Sequence, residues 1–424
     1  MDTIPPSDTR EIHVNDREQL IYLLTEAAEI EHGLMCCYLY AAWSLKQSPE
    51  EGVSADQLEA IDRWRKQIHG VAMEEMLHLA LVNNLLSSIG SAPHFSRPNF
   101  PVLPGYHPAS IVIRLAPCSR ETIAHFIYLE RPEGMQLPQA PGFETDVVYR
   151  RGAAATKLTP NAEDYDTVGH LYAGIEHGFR HLAAELGEDR LFSGARDAQI
   201  GNDLLTLPSM RAVTDLDSAL AAIATIVEQG EGGRHDHEKS HYAQFRAIAG
   251  EYDAFLAADG GFRPHRDLAA TPLMFQPIGV DAATQITAPD AAGVLDLANA
   301  CYGLMLRLLA SASSPVGDSA LRAMRLGCAI EMMSITKSLA LRLTTMSAQG
   351  DAARASMNFH LPRGALALPQ LAAGTTLMAE RAHELAAAAR QLALPQEDSA
   401  AIGERIAAVG MQLVESLRSW VHGK

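Results

Sequence analysis

The sequence predicts a mainly α-helical protein: a four-helix bundle with a long, partly β crossover insertion, followed by an additional C-terminal helical region. Four segments before residue 260 carry apolar residues at the three- and four-residue spacing of a helix face turned toward a core. The proline-rich residues 91–160 separate the second segment from the third, and one long crossover of this kind is a known bundle topology. From residue 290 the pattern is helical to the end of the chain.

These observations set the expected domain boundaries. We expect the bundle over residues 15–258, with the insertion at residues 91–160 inside it, and the C-terminal helical region over residues 259–424. Within the insertion, residues 110–115 are predicted to form a short strand, and residues 119–134 a short helix or a strand. The C-terminal helices carry no motif that indicates chemistry. They are expected to pack on the bundle, shape a pocket or form a homodimer.

The first helix carries a single carboxylate in the middle of its apolar face. Asn15 and Glu18 have capping-box spacing at its start. Glu31 falls on the stripe that also contains Leu24 and Leu34. A buried charge is costly unless it is paired or binds a metal. Taken alone, Glu31 is equally well explained as the partner of a core arginine or tyrosine.

The second helix is predicted to place a carboxylate and an imidazole on one inward face. It begins at a capping box formed by Ser54 and Gln57. Glu75 and His78 are three residues apart on its apolar stripe. A Glu-x-x-His pair on an inward face is typical of di-iron carboxylate bundles. The neighbouring Glu74 lies one position off the stripe, which favours a solvated or supporting carboxylate over a ligand.

The third and fourth helices are predicted to complete this constellation. The third begins near Asn161, and Glu176 lies beside its apolar seam, with His170 as the alternative ligand. The fourth begins with a second Glu-x-x-His pair, Glu238 and His241, and continues into an aromatic and aliphatic stripe. Each half of the bundle therefore contributes one helix with a lone glutamate and one with a Glu-x-x-His pair.

The combined pattern predicts a dinuclear metal site. Its predicted ligands, in chain order, are Glu31, Glu75, His78, Glu176, Glu238 and His241. Four carboxylates and two imidazoles suit two iron ions, or two manganese ions, rather than zinc–thiolate chemistry. We expect Glu75 and Glu238 to bridge the metals. Glu31 and Glu176 would then be terminal ligands, with one histidine capping each metal. Glu231, at the end of the preceding helix, is an open candidate for a seventh ligand.

Composition narrows the class of partner. The 424 residues are 47% hydrophobic and 20% charged, as in an ordinary globular protein. The formal net charge of −17 disfavours binding to nucleic acid or to an anionic membrane. The five cysteines show no metal-binding spacing and the N-terminus no signal pattern, which favours a cytoplasmic location. No apolar run is expected to be long enough to span a membrane.

Several segments resemble a known family. They are AAEIEHGLMCCYLYAAWSL, EEMLHLALVNNLLSSIG, FIYLERPEG, TVGHLYAGIEHG, IVEQGEGG and SHYAQF. Together they resemble the ferritin-like region of the iminophenyl-pyruvate dimer synthases of bacterial bisindole pigment and antibiotic pathways, and ANACYGLMLRLL resembles later helices of that family. The Glu-His-Gly-Phe sequence at Glu176 also resembles the rubrerythrin type of ferritin-like helix, which supports Glu176 as a ligand.

The resemblance implies a ferritin-like fold and a metal-dependent oxidoreductase of secondary metabolism. The implied substrate is a small organic molecule, such as an amino-acid-derived imine or aromatic compound, with dioxygen or peroxide as the co-substrate. Two alternatives stay open from the residues. One is iron storage or peroxide detoxification. The other is a metal-free scaffold in which the glutamate and histidine side chains pair with one another.

Overall fold

The fold is described from a computed structural model. The structure describes residues 12–103, 105–107, 112–145, 165–230, 239–273, 284–314, 318–350, 353–363 and 371–422. Its α-helices are α1 (Arg17–Ser44), α2 (Ala55–Ser88), α3 (Arg120–Leu129), α4 (Val168–Leu186), α5 (Glu188–Leu191), α6 (Leu216–Gly230), α7 (His241–Ala258), α8 (Pro289–Ala312), α9 (Ser319–Leu343), α10 (Leu371–Ala389) and α11 (Gln396–His422). Short 3-10 helices lie at Pro49–Glu51 and Arg196–Ala198, and strands β1 (Pro272–Leu273) and β2 (Thr284–Gln285) pair in parallel.

Helices α1 and α2 pack along each other and form one half of the first bundle. The side chain of Asp16, rather than Asn15, caps α1 by accepting a hydrogen bond from the backbone of Gln19. The capping box of Ser54 and Gln57 is confirmed at the start of α2. Both helices are long because their caps stop the ends from fraying and neither contains a proline in its interior.

The third helix of the bundle is built from two separate helices, α3 and α4, that run antiparallel to α1. Residue numbers rise along this side of the bundle while those of their partners on α1 fall. The contacts are Cys118 with Ser44, Phe126 with Tyr38, Tyr172 with Glu31, and Leu191 with Arg17. Helix α3 ends at Leu129 because Pro132 follows closely, and a proline disfavours helical backbone in the residue before it. The sequence expectation of a single third helix beginning near residue 161 is therefore wrong.

The fourth helix of the bundle is likewise built from two separate helices, α6 and α7, which run antiparallel to α2. Here the paired residues are Arg211 with Asn84, Gln229 with His78, His241 with Glu74, and Glu251 with Trp64. Both interruptions fall at the level of Glu31 and His78. Helices α3 and α6 thus end, and α4 and α7 begin, at the same height in the bundle.

The predicted insertion at residues 91–160 contains α3, so part of it belongs to the bundle itself. Of the strand expected at residues 110–115, residues 110 and 111 lie outside the described residues. Residues 112–115 form no strand. Ile113 accepts a hydrogen bond of 3.2 Å from the backbone of Val102. The mainly helical fold class is confirmed, and the described strands are β1 and β2.

A second four-helix arrangement follows. Helix α8 packs on α9 and α10, and α11 packs on α10 and α9. Tyr302 of α8 joins the two bundles, because its buried hydroxyl contacts His32 and Cys36 of α1. Contrary to the expectation from sequence, α8 is long and apolar enough to cross a membrane. However, 67% of its most apolar stretch of 18 residues is buried inside the protein. Its apolarity is accounted for by this interior position.

Candidate metal centre

The site lies between the two halves of the first bundle, where both interruptions occur. Helix α1 contributes Glu31, and α2 contributes Glu75 and His78; each is at most 2% exposed. His241, fully buried, is the first residue of α7, whose N-cap is Ser240. These four predicted residues are brought together by the structure.

Glu75 occupies the centre of the cluster, between the two imidazoles. Its Oε2 lies 3.1 Å from Nδ1 of His78, and its Oε1 lies 3.0 Å from Nδ1 of His241. The two rings face each other with centroids 5.5 Å apart. Each oxygen of one carboxylate therefore faces a different histidine, which is the arrangement that a bridging carboxylate requires.

A carboxylate that the sequence analysis missed completes the cluster. Glu130 follows the last residue of α3, and its Oε2 lies 3.6 Å from Nδ1 of His241. On the opposite side, Oε2 of Glu31 lies 3.3 Å from Nδ1 of His78. The helical position of Glu130, four residues after the buried Phe126, is the signal that could have found it.

Two buried phenols hold the outer carboxylates in the same way. Tyr172 donates a hydrogen bond of 2.5 Å to Oε1 of Glu31. The hydroxyl of Tyr38 donates a hydrogen bond to Oε1 of Glu130. In each glutamate one oxygen is thus fixed by a tyrosine and the other faces a histidine.

The outward nitrogens of the two histidines have different partners. Nε2 of His78 lies 2.9 Å from Oε1 of Gln229, at the end of α6. Nε2 of His241 lies 2.9 Å from Oε2 of Glu74, the residue next to Glu75. Both contacts orient the ring so that Nδ1 points into the cluster, as second partners of metal-binding histidines do.

The electrostatics of the cluster are those of anions confined away from water. Burial, followed by the charge of Glu75, raises the pKa of Glu31 to about 8. Burial lowers the pKa of His78, but Glu75 and Glu31 outweigh it and raise that pKa to about 10. The pKa of His241 is raised in the same way, chiefly by Glu75. The pKa of Glu75 is held well below its usual range, because His241 and His78 outweigh its burial.

The residues fit a pair of metal ions. Two groups each have ligand atoms within 4.8 Å of one another: Glu31, Glu75 and His78, and Glu75, Glu130 and His241. Nδ1 of His241 is buried and, despite its nearby carboxylates, makes no hydrogen bond. In the metal-free protein a proton on this ring balances the nearby carboxylates, and a cation held between them would do the same. Oxygen and imidazole donors of this kind suit iron or manganese.

The predicted ligand Glu176 is not part of this cluster. Glu176 turns away from the bundle interior, with 41% of its side chain exposed, and pairs with Arg180 at 2.8 Å. It sits one position after the fully buried Ile175, about 100° around the helix. The alternative, His170, is buried but accepts a hydrogen bond from the backbone of Asp166. Glu238 and Glu231 lie outside the described residues.

A pocket leads to the cluster through the interrupted helices. It is lined by Glu31, Leu34, Glu75, His78, Glu130, Val168, Gly169, Tyr172, Ile226, Val227 and Gly230. The polar members lie at the cluster, and most of the others are aliphatic or glycine. Because α3, α4 and α6 begin or end here, the pocket occupies the space that continuous helices would fill.

Comparison with known proteins identifies the family. The sequence model of the ferritin-like family matches residues 24–250, more than half of the chain. The chain belongs to the ferritin-like family. The matched region contains the whole cluster, so the ferritin-like fold predicted from the sequence is confirmed.

Two curated relatives are biosynthetic enzymes. Dichlorochromopyrrolate synthase from Lentzea aerocolonigenes is 27% identical over 92% of this chain and 41% of its own length. The 2-imino-3-(indol-3-yl)propanoate dimerase of Chromobacterium violaceum is 26% identical over 76% of this chain and 31% of its own length. The predicted resemblance to the iminophenyl-pyruvate dimer synthases is thereby confirmed, at modest identity. The chain spans less than half the length of these relatives.

Among solved structures, a ferritin-like protein from Caulobacter vibrioides is similar at a TM-score of 0.48 and 16% identity. That similarity covers 77% of this chain and 97% of the other.

Proposed function

We propose that this protein is a dinuclear-metal oxidoreductase, with iron or manganese, that acts on a small organic substrate derived from an amino acid in secondary metabolism. The observation that carries the proposal is the position of Glu75, whose two oxygens face two different buried histidines. A structural ion pair needs one partner, whereas this carboxylate is shared between two matched groups.

One metal would be held by Glu31, Glu75 and His78, and the other by Glu75, Glu130 and His241. When bound, such a pair supplies the redox and Lewis-acid chemistry that activates dioxygen or peroxide. The protein's own residues prepare the site. Tyr172 and Tyr38 fix the outer carboxylates, so that these ligands need little reorganisation. Burial of the cluster keeps bulk water away from its reactive side.

The pocket supports a small and largely apolar substrate. Leu34, Val168 and Ile226 provide aliphatic contacts, and the polar groups are confined to the metal end. The names of the two curated relatives describe pyrrolate and indole-imine chemistry, which supports an amino-acid-derived imine or aromatic compound here.

The remaining partners are part of the same proposal. We expect dioxygen or peroxide as co-substrate, a cytoplasmic location, and no nucleic-acid or membrane partner. Association into a homodimer belongs to the same expectation. A metal-free scaffold is the second candidate function, because the glutamate and histidine side chains already pair with one another.

The test is substrate-dependent oxygen uptake. Protein loaded with Fe(II) is mixed with an aromatic α-imino acid, and oxygen consumption and product masses are followed. We expect uptake and a new oxidised product with the wild type. We expect neither with Glu75→Ala, and wild-type behaviour with the exposed control Glu176→Gln. Equal behaviour of the wild type and Glu75→Ala would refute the proposal and favour the scaffold.

A further inference from the structure

The two groups of predicted metal ligands contain the same kinds of residue, but their histidines contact different residues outside the cluster. Among the described residues, each group has the shared Glu75, one further glutamate held by a tyrosine, and one histidine presenting Nδ1. The difference lies at Nε2. His241 contacts the carboxylate of Glu74, whereas His78 contacts the neutral amide of Gln229, both at 2.9 Å.

A carboxylate and an amide act differently on the histidine they contact. An N–H group donating to a carboxylate makes a charge-assisted hydrogen bond, which is about twice as strong as a neutral one. It also increases the basicity of the opposite ring nitrogen and therefore its strength as a metal donor. Glu74 keeps 37% of its side chain in solvent, so its contact with His241 avoids the cost of full burial.

The pocket distinguishes the two histidines as well. Carboxylates of both groups line it, Glu31 and Glu130, but of the two histidines the lining includes His78 and not His241. His241 is fully buried behind Glu75. The histidine that contacts Glu74 is therefore the one further from the pocket.

We propose, resting on the function above, that Glu74 makes the two metal positions unequal. The His241 position binds its ion more tightly and fills first. The His78 position binds more weakly and is the one that meets the substrate in the pocket. Glu74 is thus a positioning residue that acts on the metal through His241, and Gln229 is its weaker counterpart on His78.

The test is a titration of the metal-free, full-length protein with Mn(II), with free Mn(II) measured by electron paramagnetic resonance. The wild type is expected to bind two ions in two steps. Glu74→Gln should weaken the tighter step by about 10-fold to 100-fold, the usual effect of losing an outer partner, and leave the weaker step unchanged. Gln229→Glu should strengthen the weaker step. Glu176→Gln is the matched control, and circular dichroism checks that every variant is folded.

Single-histidine variants assign the steps. His78→Ala should retain the tighter step, and His241→Ala should retain only the weaker one. The inference is overturned if Glu74→Gln leaves both steps unchanged, or if the tighter step disappears with His78 instead. Either result, with two ions still bound to the wild type, leaves the proposed metal site standing. A wild type that binds no Mn(II) and no Fe(II) overturns both proposals.

Discussion

The two bundles differ in whether they bury carboxylates. In the first, buried carboxylates on α1 and α2 face one another and two histidines, and Nδ1 of His241 has no hydrogen-bond partner. In the second, the buried charges are guanidinium groups. Arg322 donates to four backbone carbonyls around its end of α9, and Arg325 donates to Thr375 and a carbonyl. Within the described part of the second bundle no carboxylate is buried.

The buried arginines of the second bundle therefore serve the stability of the fold, whereas the buried carboxylates of the first are suited to binding cations. Arg322 is held in place by neutral acceptors, and most of the cost of burying it is offset by hydrogen bonds within the chain. The carboxylates around Glu75 are mutually repulsive and need added protons or cations. We therefore expect changes in the first bundle to act on metal binding and changes in the second to act on stability.

The largest expected effect is the loss of metal from the first bundle. Glu75→Ala combined with His241→Ala removes the shared carboxylate and one histidine. We expect metal stoichiometry to fall from two ions per chain to none, with helicity preserved, as measured by elemental analysis and circular dichroism. Two ions per chain in the double variant would show that the ligand set is wrong.

A core substitution in the second bundle is the converse test. Leu339 of α9 is fully buried. Leu339→Ala is expected to lower the free energy of unfolding by about 2–5 kcal/mol through lost burial and a cavity. Urea denaturation measures this change, while metal stoichiometry should stay at that of the wild type. A loss of metal without a loss of stability would contradict the division between the bundles.

The pH dependence of the metal-free protein sharpens the comparison. The raised pKa of His78, about 10, contributes stability that is complete below its unfolded value near 6.5 and is lost as the pH rises toward 10. The pKa of Glu31, about 8, adds a loss in the same direction, because ionising this buried carboxyl is costly. Metal-free protein should therefore lose stability between about pH 6.5 and 10.

Metal-loaded protein should not show this loss, since bound imidazoles are already deprotonated. The melting temperature of both forms across this range provides the measurement. The prediction fails if the metal-free form is equally stable at both ends of the range.

The smallest expected effect concerns Glu176. Its pair with Arg180 is an exposed contact four residues along α4. Glu176→Gln should change the free energy of unfolding by less than about 0.5 kcal/mol and leave metal binding intact. Glu130→Gln, by contrast, should weaken one metal position strongly. If Glu176→Gln removed a metal instead, the sequence prediction would be right and the structural assignment wrong.

The sequence predicts site residues well where the apolar pattern of one helix is enough to show which side chains point inward. Glu31, Glu75 and His78 lie on long helices whose apolar stripe defines the inward direction. His241 was predicted by the spacing of its pair with Glu238 and by the aromatic residues that follow it. In each case the period of a single helix contains the information needed.

The sequence could not predict that two short helices form one bundle helix. Helix α3 is ten residues long and is separated from α4 by residues 130–167. Periodicity within either segment says nothing about their end-to-end arrangement, which depends on contacts with α1. Glu130 was missed for that reason, and Glu176 was chosen from the half that lies beyond the site.

The most direct test of a dinuclear centre is metal content after anaerobic loading with Fe(II), with the optical spectrum recorded before and after oxygen is admitted. The structure predicts two iron ions per chain and a new near-ultraviolet band after oxygen is admitted. A protein that retains no iron would contradict the central claim. The glutamates and histidines around Glu75 would then be a buried ion-pair network.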